Sequence, residues 1–160
     1  MNGMKSVAEF VATGKFHGLG LGSPLSAVTE KIRVDFIEEA DEENLSLRRD
    51  YGFIEFHFSQ EPEWVVTSGM LELHRIAGNS TLMAEWEETM QEVFPRYFSW
   101  GEFSQQYHRI PDAPPLIRTA QGGFVEYRSA ATRVSVLVVD GEDGRDDWPG
   151  GCDVWSVSLG

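Results

Sequence analysis

At 160 residues the chain has the length of one domain, enough to bury about two-thirds of its unfolded surface without disulfides or a structural metal. A 41% hydrophobic and 12% aromatic composition excludes disorder, and a formal charge of -13 with a pI near 4.6 sets the chain against phosphate backbones and anionic lipid surfaces. The lone Cys152 excludes an internal disulfide and a cysteine zinc site within one chain, which fits a reducing compartment.

Residues 1–10 lack the uninterrupted apolar core of a signal peptide, and no stretch approaches the ~18 apolar residues of a membrane span, so the expected location is the cytoplasm with no membrane partner. Val7, Phe10 and Val11 recur at helical spacing with Gly14 behind them, predicting a short helix over 4–13 with a left-handed cap. The following Gly18, Gly20 and Gly22 are spaced G-x-G-x-G. That is not the dinucleotide fingerprint, and no aliphatic strand precedes it, so the glycines read as a short strand or turn. Ser23 and Pro24 then start a helix over 24–32 with Leu25, Val28 and Ile32 inward.

From Asp35 to Glu43 the chain carries six carboxylates with no lysine or arginine among them, a pattern of a solvated loop or of a contact surface. The stretch from Leu45 to Ile76 follows, the densest apolar patterning in the sequence, and reads as a long β-hairpin. Ile54, Phe56 and Phe58 alternate with Glu55 and His57 at the two-residue period of a strand. A turn over 59–63 contains Pro62, and Trp64 opens the return strand. The predicted register sets Phe58 against Trp64, Phe56 against Val66 and Ile54 against Ser68, with Gly52 and Gly69 nearly opposite and the hairpin bending there. Arg48, Arg49 and Asp50, at the mouth of the hairpin, read as charges that pair with one another or cap the sheet.

Leu82, Trp86, Met90 and Val93 define the inner face of a further helix, with Glu85, Glu88 and Glu92 outward and Pro95 ending it. Ser99 and Glu102 form a capping-box pattern for a helix reaching about Arg109, and the proline-rich 110–115 is an extended connector. Residues 123–128, 133–139 and 153–159 read as three strands of an antiparallel meander, broken by an acidic turn over 140–147. The expected fold is therefore a single α+β domain over 1–160, an antiparallel sheet made of the central hairpin and the C-terminal meander, with helices packed on one face.

No catalytic frame is present: there is no G-x-S-x-G, P-loop or cysteine motif. The nearest metal-like arrangement pairs Glu55 and His57 with Glu72 and His74, and the predicted register holds the two pairs on the order of 30 Å apart. The acidic turn over 140–147 lacks the ligand alternation of a calcium loop. No cofactor, metal or catalytic residue is assigned.

Across Leu47-Arg48-Arg49-Asp50-Tyr51-Gly52-Phe53-Ile54-Glu55-Phe56-His57-Phe58, with Trp64 after it and Leu71-Glu72-Leu73-His74-Arg75 closing the return strand, the chain resembles small actinobacterial immunity proteins encoded beside polymorphic toxins. The resemblance extends upstream to Gly20-Leu21-Gly22 and the helix after it, covers roughly the first half, names no toxin and supplies no catalytic residues. It implies a partner, a cognate toxin domain, and the charge adds that such a toxin would be basic. Glu38, Glu39, Asp41, Glu42 and Glu43, with Asp143, Asp146 and Asp147, are then candidates for the electrostatic part of the interface. Trp64 and Trp148, each bordering a polar turn, are candidate anchors, with local packing as their other role. Two alternatives stand beside this reading. One is a small-molecule-binding or regulatory domain, marked by an apolar pocket between helices and sheet, and the other an enzyme with a dispersed acid/base pair.

Overall fold

A computed structural model describes residues 2–160. The first helix, α1 (Gly3–Thr13), starts where the Asn2 side chain accepts the Met4 N–H and stops at Gly14, whose φ of 76° supplies the left-handed cap. Its apolar positions Val7, Phe10 and Val11 are buried as their spacing predicts. Helix α2 (Leu25–Lys31) follows Pro24 and buries Val28. Phe16 and Leu19 close a tight turn between the two helices, as expected for that glycine-rich segment.

The remaining chain forms strands β1 (Ile37–Asp41), β2 (Ser46–Asp50), β3 (Ile54–Gln60) and β4 (Trp64–Leu71), helices α3 (His74–Gly78), α4 (Ala84–Met90) and α5 (Trp100–His108), and strands β5 (Ile117–Gln121), β6 (Phe124–Ser129), β7 (Val134–Val139) and β8 (Val154–Leu159). All eight strands belong to one antiparallel sheet in the order β1-β2-β3-β4-β8-β7-β6-β5. The N-terminal and C-terminal meanders meet where β4 pairs with β8, Gly69 opposite Leu159 and Leu71 opposite Val157. The single α+β domain with helices over one sheet face is the architecture expected from the sequence.

Five local expectations are corrected. The acidic stretch is not a loop: Ile37–Asp41 is the edge strand β1, every residue exposed, paired to β2 with Glu38 opposite Arg49 and Glu39 opposite Arg48. The long hairpin is a meander, because Gly52, at a φ of 104°, turns the chain between β2 and β3. Gly52 therefore lies outside the strands, and it is Phe56 that stands opposite Gly69. A second edge strand, β5, occupies residues beyond the proline-rich connector where none was predicted.

The register of β3 and β4 also differs. Gln60 faces Trp64 across a three-residue turn, so Phe58 faces Val66, and a bulge leaves Thr67 exposed before pairing resumes with His57 opposite Ser68, Phe56 opposite Gly69 and Ile54 opposite Leu71. The extra residue switches side-chain parity. Val66 before it and Leu71 after it both point to the core, which unbroken alternation would forbid, while Ser68 and Met70 are turned to the other face.

The helical segment after α3 carries the fifth correction. Helix α4 ends at Met90 because Gln91 adopts a φ of 52°, before Pro95 is reached. The helical phase is lost there, so Glu92 is fully buried instead of outward and Val93 is exposed instead of inward.

Between helices and sheet lies an aromatic core in which Phe10, Phe16, Phe53, Phe56, Phe58 and Phe103 are almost wholly buried, each contributing about 2–3 kcal/mol by removal from water. No helix among the described residues is long and apolar enough to cross a membrane.

Candidate functional site

Alternation along the strands separates the helix-covered face from an open one. Ile54, Phe56 and Phe58 face the helices, so Glu55 and His57 lie on the open face with their partners Asp50, Arg48, Met70 and Ser68. The same parity adds Ser158 of β8, Ser135 of β7, and Glu126 and Arg128 of β6, with Arg128 donating 2.8 Å to the Ser135 hydroxyl. Serines and charged groups alternate on this face with Met70, Leu137 and Phe124.

At one end of this face, three carboxylates converge. Oxygens of Asp50, Glu55 and Glu72 lie within 4.8 Å of one another. Arg48 donates to Asp50 at 3.0 Å and to Glu55 at 2.7 Å. Arg75 of α3 donates 2.8 Å to the Gly52 carbonyl and stands 3.5 Å from Asp50, 3.7 Å from Glu55 and 2.8 Å from Glu72. That last contact lies outside hydrogen-bonding geometry, leaving the buried Glu72 Oε2 with charge attraction but no donor among the described residues. Burial, only partly offset by the Arg75 guanidinium and reinforced by the charges of Glu55 and Asp50, pushes the Glu72 carboxyl up to about 7. A cation here would have to displace two guanidinium groups, Arg48 and Arg75, from the three carboxylates.

The sequence reading held Glu55 and Glu72 far apart. The fold brings them together because β4 ends at Leu71 and Glu72 turns onto the open face, its N–H donating to the Phe53 carbonyl. The histidines stay apart: His57 is exposed beside Arg48, and His74 starts α3. The one signal for the cluster was the mix of arginines and acids at the ends of predicted strands. Arg48 and Asp50 do pair with each other, as the local charges suggested.

Beside the ionic cluster stands an aromatic ladder. His74 lies flat on Trp155, ring centres 4.5 Å apart. Trp148 stacks on Trp155 at 6.1 Å, and Phe124 meets it edge-on at 5.7 Å. Trp148 remains 61% exposed. A cleft of about 530 Å³ runs between Gly52, His74, Arg75, Leu82, Asp147 and Trp148.

The loop that carries Trp148 is held in place from below. Asp153, buried, accepts two 2.8 Å bonds from Arg145 and one of 2.9 Å from the Gly150 N–H. The Tyr97 hydroxyl donates to the Asp146 carbonyl, and Arg145 lies 4.9 Å over the Tyr97 ring. Asp143, Asp146 and Asp147 are exposed on this loop.

The predicted interface residues do not form one patch. Register pairs place the 41–46 and 60–64 turns at one end of the sheet and the 139–154 loop at the other, roughly 20 Å apart along a strand such as β3. Asp41, Glu42, Glu43 and Trp64 share the first end. Asp143, Asp146, Asp147 and Trp148 share the second.

Several of the first group have local roles. Glu38 pairs with the buried Arg49 at 2.7 Å, and Arg49 also bonds Thr29 and Tyr51 and lies 3.9 Å over Phe36. Glu39 is 3.5 Å from Arg48. Asp41 accepts from the Asn44 side chain and from the Asn44 and Glu43 N–H groups, and these bonds, the Asn44 side chain foremost, hold its carboxyl below the usual range. Trp64 is half-buried and packs on the core. Glu42 and Glu43 are exposed on the turn.

No family model, no curated protein and no solved structure matches this chain.

Proposed function

We propose that the protein is a cytoplasmic immunity-type inhibitor that binds and neutralises a cognate basic toxin domain. The observation that carries this reading is Trp148, a large aromatic ring left 61% exposed yet held in a fixed stack, on a loop bearing Asp143, Asp146 and Asp147. A preorganised tryptophan on a loop that also exposes three aspartates is suited to anchor a cationic protein surface, since the ring supplies affinity and the charges supply orientation. The acidic turn with Glu42 and Glu43 at the far end of the sheet adds to the long-range field that accelerates encounter.

The test is co-expression with the C-terminal domain of a large secreted protein encoded beside this gene. Protection of a host that the domain alone kills is expected. Trp148→Ala, and separately the triple Asp143→Asn, Asp146→Asn, Asp147→Asn, are expected to weaken protection, while Glu42→Gln with Glu43→Gln mainly slows association at low salt. Neighbouring genes of a metabolic operon, with no protection against any adjacent domain, would sink the reading.

A further inference from the structure

The ionic cluster sets three carboxylates against two guanidinium groups. Two positive charges neutralise only two of the three carboxylates. The members come from four elements: Arg48 and Asp50 from β2, Glu55 from β3, Glu72 from the end of β4, and Arg75 from α3. Around them stand His57, opposite Arg48 on β3, Glu39, 3.5 Å from Arg48 on β1, and His74, next to Arg75 on α3.

Arg75 is the tie between this cluster and α3, through Gly52, Asp50, Glu55 and Glu72. Only Glu72 and Leu73 separate β4 from α3, so a movement of Glu72 is a movement of the helix start. The next residue, His74, is the lower layer of the aromatic ladder.

We propose that Asp50, Glu55 and Glu72 form a proton-operated latch on α3. With one proton held on Glu72, the cluster is neutral, α3 is docked and His74 lies on Trp155. Loss of that proton leaves one uncompensated negative charge, which favours conformations in which Glu72 turns out to water and carries the start of α3 with it. The inference does not depend on the proposed toxin partner, although the surface it moves is the one that holds Trp148.

The direction follows from linkage. Glu72 binds its proton more tightly when docked than when solvated, where it has the ordinary value of 4.5. The docked state is therefore fully favoured below pH 4.5, weakens as pH rises, and levels off above about 7.

Two measurements on the intact chain test the latch. A ¹³C NMR titration of glutamate carboxyls is expected to show one midpoint near 7 that is absent from Glu72→Gln; Glu72 titrating at its ordinary value overturns the proposal. Amide hydrogen exchange over 73–78, corrected for intrinsic rates, is expected to show opening that grows by up to about tenfold per pH unit between pH 5 and 7 and then levels off. In Glu72→Gln that trend is expected to vanish. A midpoint near 7 with unchanged protection over 73–78 would mean that a proton is stored without moving the helix, and this too overturns the latch.

Discussion

The His74 ring lies parallel to the Trp155 indole within 2°, and its Nδ1 sits 3.3 Å from the Trp155 carbonyl oxygen. Burial lowers the His74 pKa below its usual 6.5, the hydrogen bond to Trp155 offsets part of that, and Arg75 lowers it further. The folded state therefore resists protonation, and its stability declines as pH falls below about 6.5. Measured in the Glu72→Gln background, which removes the opposite trend, the melting temperature is expected to drop between pH 7 and pH 5. His74→Phe, which keeps the stack and removes the titration, is expected to flatten that drop; an unchanged slope would show that His74 is not its source.

Glu92 is the buried counterpart at the other layer of the fold. Its carboxylate accepts the Ser6 hydroxyl, His17 Nε2 at 3.0 Å and Trp86 Nε1 at 3.1 Å. Burial alone would raise its pKa, but the bonds from His17, Ser6 and Trp86 outweigh burial and hold it below the usual carboxylate value of 4.5. Its contribution is present above pH 4.5 and is lost as pH falls through the depressed value. Glu92→Ala strands the Trp86 donor and opens a void beneath α1, so a loss of about 3 kcal/mol is expected. That corresponds to roughly 10 °C in melting temperature for a domain of this size. Glu92→Gln, which retains an acceptor, is expected to lose less, and equal losses in the two variants would contradict the hydrogen-bonded role.

Gly78 closes α3 against the loop that carries Trp148. A Cβ at this position would lie 2.8 Å from the Asp147 carbonyl oxygen, and a backbone oxygen yields less readily than a side chain. Gly78→Ala is expected to push the loop outward, at a cost of about 1–3 kcal/mol, and to alter the stacking of Trp148 on Trp155. Near-ultraviolet circular dichroism of the tryptophans is the readout, and a spectrum matching the wild type with unchanged stability would contradict this contact.

Much of the fold was legible from local pattern. Helix α1 and its Gly14 cap, the Ser99 cap of α5 and the strands β6, β7 and β8 are found where spacing and capping residues put them. Their information lies within a few residues, in the period of apolar side chains and in the satisfaction of terminal N–H groups. The acidic segment misled because a strand that is exposed along its whole length has no buried face and hence no alternation to read. The candidate site was only partly legible. Trp148 and its flanking aspartates stood out by composition, whereas nothing local to Trp155 or His74 announced that the two would stack.

By itself, the sequence determined the class of the molecule, an acidic α+β domain with an antiparallel sheet, because charge, apolar content and periodicity are sums over residues that need no partner. Only the tertiary structure decided the rest. The bulge at Thr67 turned Ser68 and Met70 to the open face, the end of β4 at Leu71 carried Glu72 to Asp50 and Glu55, and the left-handed Gln91 sent Glu92 inward. Each of these is settled by a register or a dihedral angle at one residue, and its consequence falls on residues far along the chain that become neighbours only when the sheet has closed.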